Sequence, residues 1–133
     1  MGIEPGLVNE IKITVTADMT AEAANVAGMA PVLATPKLIS YLERTAHLAV
    51  FPLLPEGQST VGTLVNIRHL AATPVGMEVR FRVELVEVDR RRLRFKVEAW
   101  DAVEKISEGE HERFIIDMGR FLGNLEKKTQ QMI

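Results

Sequence analysis

The segment ATPKLISYLERTAHLAV, residues 34–50, predicts the one long helix of the chain. Thr35 is suited to cap the helix N-terminus, and Pro36 is suited to the first helical position, where its missing N–H group costs nothing. Apolar residues lie on several sides of this helix: Leu38, Leu42, Ala46 and Ala49 on one stripe, with Ile39, Tyr41, Leu48 and Val50 around it. A helix that is apolar over much of its circumference is expected to be wrapped by the rest of the chain.

Glu43 places a charge in the middle of this apolar helix. A buried carboxylate must find donors, become neutral or reach a wet cleft, because desolvating the charge is costly. Two interpretations are open. Glu43 lies on a solvated stripe with Arg44 and His47, which is the more common situation for a glutamate, or it faces a cleft and takes part in chemistry. His47, four residues further on, is a simple helical partner for it.

Alternation of apolar and polar residues predicts five strands around this helix. The strands are expected in residues 9–18, 59–70, 76–88, 92–100 and about 107–118. A short helix or lid-like turn is expected in residues 19–28, and the polar tail, residues 123–133, is expected to fray or to form a short helix.

One strand, a wrapped helix and four antiparallel strands form an α+β layout, the hot-dog fold, in which a five-stranded antiparallel sheet wraps around one long helix. The 133 residues, 47% of them hydrophobic, predict a single domain, 1–133. A single helix on this sheet leaves apolar surface and strand edges uncovered. We therefore expect a homodimer, or a dimer of dimers.

Composition narrows the classes of function. The net charge of −2 argues against nucleic acid or an anionic membrane surface as a partner. The absence of cysteine excludes thiolate catalysis, thiolate metal sites and disulfides. The N-terminus does not resemble a signal peptide and no apolar run approaches about 18 residues, so a cytoplasmic protein is expected. The histidines are scattered without an acidic cluster, so no metal is expected.

Two further side chains are candidates for chemistry. His69 ends a predicted strand before a Pro/Gly turn, where a neutral imidazole is able to accept and return a proton; the alternative is a hydrogen-bonded histidine at a strand end. Thr35 is already explained as a cap, but a helix N-terminus also offers free N–H groups and a positive dipole end for a developing oxyanion. His111 alternates with acidic neighbours in EGEHER, and this pattern predicts that it lies on a solvated strand face.

The strings VLATPKLISYLE, residues 32–43, and VGTLVNIRHLAATPVGMEV, residues 61–79, resemble the fluoroacetyl-coenzyme A thioesterase-like family of hot-dog proteins. The resemblance covers most of the chain. It implies hydrolysis of an acyl-coenzyme A thioester to a carboxylate and free coenzyme A, with no cofactor besides the coenzyme A of the substrate. It also implies a catalytic set of Thr35, Glu43 and His69.

The resemblance further implies that Gly62 and Arg113 shape the acyl pocket. The segment before the helix departs from the fluoroacetyl-specific pattern, because Val26 and Met29 stand where that enzyme has phenylalanines. We therefore expect Met29 to line a pocket for another short or medium acyl group. Two other functions stay open, a module that binds acyl-coenzyme A without turnover and a hot-dog hydratase.

The spacing of the implied catalytic set sets a geometric condition. Eight residues of helix separate Thr35 from Glu43, a rise of about 12 Å, so the two side chains are not expected to touch. We expect His69 or a second subunit to bridge them, with the active site at the dimer interface. The compensation for the charge of Glu43 is then expected from His69 and substrate rather than from a structural ion pair.

Overall fold

The structure is a computed structural model that describes residues 2–132, and it confirms the predicted order of elements. The elements are β1 (Val8–Thr14), α1 (Thr35–Val50), β2 (Gln58–His69), β3 (Glu78–Asp89), β4 (Arg92–Trp100), β5 (Lys105–Asp117) and α2 (Met118–Gln130), with 3-10 turns at Ala17–Met19, Glu22–Ala24 and Phe51–Leu53. All strand pairings are antiparallel, in the order β1-β3-β4-β5-β2. Within this described part of the chain, no helix has the length and apolar character needed to cross a membrane.

The core lies between α1 and the face of the sheet that wraps it. Alternate residues of the central strand β4 and of its neighbour β3 are fully buried, as period-2 patterning requires: Val79, Phe81, Val83 and Leu85 on β3, and Leu93, Phe95, Val97 and Ala99 on β4. The predicted stripe of α1 packs against them. The inward face of the strands, where apolar residues repeat every 2 residues, therefore contacts the apolar stripe of α1, where they repeat about every 3.6 residues. This contact determines how α1 is rotated about its axis.

The start of α1 differs from the prediction. Ala34 is the N-cap, without a side-chain capping bond, and Thr35 and Pro36 are the first and second helical residues. The proline is tolerated there because N–H groups of the first turn have no partner inside a helix. The prediction that Thr35 caps the helix is therefore wrong, and its hydroxyl is free for another contact.

The segment predicted as a short helix or lid-like turn, and the tail predicted to fray or to form a short helix, take different forms. Residues 17–24 form two separate 3-10 turns, because the hydroxyl of Thr20 bonds Ala17 O and the N–H of Ala23 between them. The tail forms α2, whose first turn is capped by the carboxylate of Asp117. Helix α2 buries no residue, so it contributes little to the core.

Strand β2 lies at one end of the sheet and, among residues 2–132, is paired on one side only, with β5. Its pairing shifts between Gly62 and Leu64, which marks a β-bulge. Leu64 and Val65, just after the bulge, are exposed, Val65 to 42%. A long edge strand with exposed apolar side chains is a surface suited to pairing with another strand.

Gly109 on β5 provides a test of how tightly β2 and β5 are joined. It has a φ of 155°, and a Cβ atom there would collide with the backbone oxygen of Asn66 and lie 2.6 Å from Ile67 Cα. We expect Gly109→Ala to lower the free energy of unfolding by roughly 1–3 kcal/mol, because neither backbone atom is able to move away cheaply. Urea denaturation measures this change.

The matched control is Gly123→Ala on α2, where a Cβ atom meets nothing within 4 Å. Alanine is the better helix former by about 1 kcal/mol, so this variant should be as stable as the parent or more stable. Equal stability of the two alanine variants would show that the contact at Gly109 is not tight.

Candidate active site

The first cluster of functional side chains joins the start of α1 to the end of β2. Thr35 Oγ1 and His69 Nδ1 lie 2.8 Å apart, a hydrogen-bond distance. The other ring nitrogen of His69, Nε2, is buried and has no hydrogen-bond partner among residues 2–132. A buried polar atom left unpaired costs about 1–3 kcal/mol, so this nitrogen is suited to a ligand from outside the chain.

Burial lowers the pKa of His69, and a backbone contact at Ala71 acts in the opposite direction. The imidazole is therefore neutral at neutral pH, the form that is able to accept a proton. Sequence reasoning identified both members of this pair, although it assigned Thr35 a capping bond that the structure replaces with the bond to His69.

The second cluster surrounds Glu43, in the middle of α1. Glu43 Oε2 lies 3.5 Å from Arg113 Nη1; the arginine side chain is buried, whereas that of the glutamate is 40% exposed. Burial lowers the pKa of Arg113, and the charge of Glu43 opposes that effect. The expectation that His69 rather than an ion pair compensates Glu43 is therefore wrong. The partner lies on β5, 70 residues away, where helical spacing gives no signal.

Gly62 on β2 makes the approach of the carboxylate possible. A Cβ atom at this position would collide with Glu43 Oε2 and would lie 3.2 Å from Arg113 Nη1 and 3.3 Å from His111 Cε1. The structure thus places Gly62 and Arg113, both predicted substrate-binding residues and paired across β2 and β5, beside Glu43.

His111 belongs to this second cluster, and the prediction that it lies on a solvated face is wrong. It is 1% exposed; its Nδ1 lies 2.7 Å from Leu64 O and its Nε2 lies 3.1 Å from Arg113 Nη1. Burial is the main cause that lowers the pKa of His111. The acidic neighbours contained the missed signal, because alternate residues of a strand face opposite sides, so solvated glutamates on both sides of His111 place it inward.

His47 does not pair with Glu43 as helical spacing suggested. Its Nδ1 lies 2.7 Å from Thr60 Oγ1 on β2, and its ring stacks on Phe51 with centroids 5.0 Å apart. Thr60 Oγ1 also accepts a hydrogen bond from Arg113 Nε, at 2.8 Å, so its own hydrogen is directed to His47. Burial lowers the pKa of His47, and the charge of Arg113 lowers it further.

The two clusters are well separated within one chain. Gly62 and His69 are seven residues apart on β2, which corresponds to about 23 Å at 3.3 Å per residue. The structure therefore brings together Thr35 and His69, but Glu43 lies in the other cluster, beside Gly62. Met29, the third predicted pocket residue, is 45% exposed in the segment that precedes α1.

A groove of about 660 Å³ lies away from both clusters. It is lined by residues of β2, β3, β4 and β5, including Arg94, Lys96, Glu108 and Glu110. Its charges pair with each other, as Arg94 does with Glu110 at 3.8 Å. Exposed ion pairs of this kind are common on sheet surfaces and contribute little, so we do not place the active site there. Among residues 2–132, no group of three His, Asp or Glu side chains is arranged to hold a metal ion.

A five-stranded antiparallel sheet around one long helix is the hot-dog fold, and solved thioesterases share it. Residues 15–119 match the family described as fluoroacetyl-CoA-specific thioesterase, FlK. The chain belongs to this family.

Individual relatives agree with this assignment. The fluoroacetyl-CoA thioesterase of Streptantibioticus cattleyicolor is 35% identical over 108 residues, 81% of this chain and 78% of that protein. A structure of the fluoroacetyl-CoA thioesterase FlK superposes with a TM-score of 0.90 at 31% identity, covering 96% of this chain and 98% of that one. A hypothetical protein of Thermus thermophilus, described as a thioesterase superfamily member, has a TM-score of 0.90 at 25% identity, with coverages of 97% and 95%.

The three histidines predict how stability responds to acid. The pKa values of His47, His69 and His111 are all below the ordinary value of 6.5, so the unfolded chain binds more protons than the folded one as the pH falls below that value. Their contribution to stability is fully present above about pH 6.5 and is lost at lower pH. Melting temperatures recorded at about pH 7.5, 6.5 and 5.5 should fall over the second interval, whereas an unchanged value would contradict the neutral assignments.

Proposed function

We propose that the protein hydrolyses an acyl-coenzyme A thioester to a carboxylate and free coenzyme A, at sites formed between two copies of the chain. The buried Nε2 atom of His69, which finds no hydrogen-bond partner among residues 2–132 although Nδ1 pairs with Thr35, is the observation that supports this most directly. A histidine with a purely structural role would be expected to satisfy both ring nitrogens. This one keeps one nitrogen that no group of residues 2–132 satisfies, which leaves it for a ligand or a second chain.

The reaction requires water to add to the thioester carbonyl and the C–S bond to break. In one route Glu43 takes a proton from water, and the resulting hydroxide attacks the carbonyl carbon. In the other route the carboxylate attacks the carbonyl itself, and water then hydrolyses the mixed anhydride. In both routes coenzyme A leaves as thiolate and receives a proton that comes from the water, taken up by Glu43 in the first route and released when the anhydride is hydrolysed in the second. His69 is the group suited to carry this proton. Both routes stay open.

Thr35 and the start of α1 are suited to hold the carbonyl oxygen. The helix N-terminus carries partial positive charge, which favours the negative charge that develops on this oxygen in the transition state. The bond to His69 fixes the hydroxyl of Thr35 at this end of the helix.

A second copy of the chain completes the site if the two β2 edges pair antiparallel. A two-fold axis normal to the sheet keeps each residue on its own face, so it must pass through a pair of identical residues. With the axis at Asn66, Val65 faces Ile67 of the partner subunit, and the bulged residues Gly62 and Thr63 face His69 of the partner subunit. Paired strands lie about 4.8 Å apart, so Glu43, beside Gly62, would lie close to His69 of the partner subunit. The same pairing would cover the exposed side chain of Val65. A dimer is the smallest assembly with a complete site, and association into a dimer of dimers would leave this site unchanged.

The acyl group proposed for this chain is short or medium but not fluoroacetyl. Val26 and Met29, both exposed, occupy the segment before α1 in which the fluoroacetyl-specific relatives are expected to carry aromatic side chains. A flexible methionine adapts to acyl groups of different shape. Coenzyme A enters as part of the substrate, and we propose no further cofactor.

Thiol release from a panel of acyl-coenzyme A esters tests the reaction. The parent protein should release thiol from at least one ester among acetyl, butyryl, hexanoyl and fluoroacetyl, with fluoroacetyl not preferred. Glu43→Gln should lower kcat by roughly 10²–10⁴-fold, because an amide neither accepts a proton nor attacks a carbonyl. Glu56→Gln, at an exposed glutamate in the turn before β2, is the control and should retain full activity. Binding of the esters without thiol release would instead identify a non-catalytic acyl-coenzyme A binding module.

The proposed register is testable with cysteines, since the chain has none of its own. In this register position 66 of one chain faces position 66 of the other, and opposed residues lie within the Cα distance of about 4.4–6.8 Å that a disulfide needs. Asn66→Cys chains should therefore form a disulfide-linked homodimer on oxidation. Val65→Cys chains, whose two cysteines are diagonal neighbours about 7–8 Å apart, should not cross-link efficiently. Efficient cross-linking of Val65→Cys chains would indicate a two-fold axis through Val65.

A further inference from the structure

We propose that His111 is a positioning residue, which holds the guanidinium of Arg113 against the carboxylate of Glu43 and so sets the direction of that carboxylate. The proposal rests on the proposed function, because it takes Glu43 as the reacting group. It assigns a role to a buried histidine that the proposed reaction does not otherwise use.

The hydrogen-bond partners of His111 define where its proton lies. Leu64 O, 2.7 Å from Nδ1, is a carbonyl and only accepts, so Nδ1 carries the hydrogen. Arg113 Nη1, 3.1 Å from Nε2, belongs to a guanidinium and only donates, so Nε2 presents its lone pair. The ring is thus a neutral imidazole with both nitrogens engaged. It has no free site for proton transfer, which leaves it a positional role.

Arg113 is held on several sides. Its Nε donates to Thr60 Oγ1 at 2.8 Å and its Nη2 to Thr60 O at 3.1 Å, while Nη1 donates to His111. The remaining hydrogen of Nη1 is then directed to Glu43 Oε2, 3.5 Å away. A guanidinium is planar, so partners on either side of it define the direction of the last donor.

His111 is itself rigidly placed. It is 1% exposed and packs on the ring of Phe95, with centroids 6.4 Å apart. Its bond to Leu64 ties it to the β-bulge that follows Gly62, the residue whose missing Cβ leaves room for Glu43. The bulge, the arginine and the carboxylate are therefore linked through one side chain.

Two substitutions distinguish the effect of the acceptor atom Nε2 of His111 from the effect of the volume of its side chain. His111→Asn keeps an amide donor near the position of Nδ1 but removes the acceptor at Nε2, whereas His111→Gln places a carbonyl oxygen near Nε2. We expect His111→Asn to lower kcat roughly 10–100-fold, as a displacement of the reacting group by about 1 Å does, with little change in KM. His111→Gln should restore most of the lost kcat. Melting temperatures of both variants show whether they fold.

A double-mutant cycle with Arg113→Lys tests whether His111 acts through Arg113. Lysine lacks the planar fork of donors, so Arg113→Lys should reduce kcat in the parent background. If His111 acts through the guanidinium, the same substitution should cost much less in the His111→Asn background. Independent, multiplicative losses would overturn the proposal.

Thr60 provides a second pair of variants in case His111→Asn does not fold. Thr60→Val removes the hydroxyl that holds Arg113 Nε, whereas Thr60→Ser keeps it. Because both substitutions leave His111 in place, a loss of kcat in Thr60→Val that Thr60→Ser does not show supports the positioning of Arg113 by its surrounding acceptors. Equal kcat values of Thr60→Val and Thr60→Ser would overturn this positioning of Arg113.

Each remaining outcome bears on a separate claim. A parent protein that releases no thiol overturns the proposed function itself. A parent enzyme that loses activity in Glu43→Gln but not in His111→Asn overturns only the role of His111. Equal losses of kcat in His111→Asn and His111→Gln, with equally lowered melting temperatures, also overturn it, since packing alone would then account for the effect.

Discussion

The arrangement of the site depends on one requirement, that the buried guanidinium of Arg113 on β5 has an anionic partner. Glu43, on α1, meets this requirement at 3.5 Å. Because Glu43 is 40% exposed, solvent screens the pair, and its contribution to stability is about 1 kcal/mol or less. The pair therefore matters for direction more than for stability. Gly62 leaves space for it, and Thr60 and His111 hold its cation in place.

The edge strand β2 relates the fold to the proposed chemistry. It contributes Gly62 to one cluster and His69 to the other, and the length of the strand between them separates a carboxylate from the imidazole that would assist it. An antiparallel pair of such strands places the start of one against the end of the other. Two copies of a chain with two incomplete half-sites then form two complete sites, which is why we propose the dimer as the active unit.

Local patterns were sufficient for the elements of this fold. Apolar periods of 2 and 3.6 residues predict the order of strands and helices, the buried stripe of α1 and the antiparallel sheet. Each period indicates which side of an element is turned away from water. The same reasoning applied to EGEHER would have placed His111 inside. Capping was predicted less well, because the residue types that cap helices are also those that bond to distant side chains, as Thr35 does with His69.

The amino-acid sequence with its family resemblance was enough to predict Thr35, Glu43, Gly62, His69 and Arg113 as candidate site residues. It was not enough to say which of them touch. The ion pair of Glu43 with Arg113 and the bond of His47 to Thr60 join residues on different elements, and nothing in local spacing distinguishes them from a helical pair of Glu43 with His47. Such contacts depend on how α1 is rotated against the sheet and on the bulge in β2, which are set by the packing of the whole core.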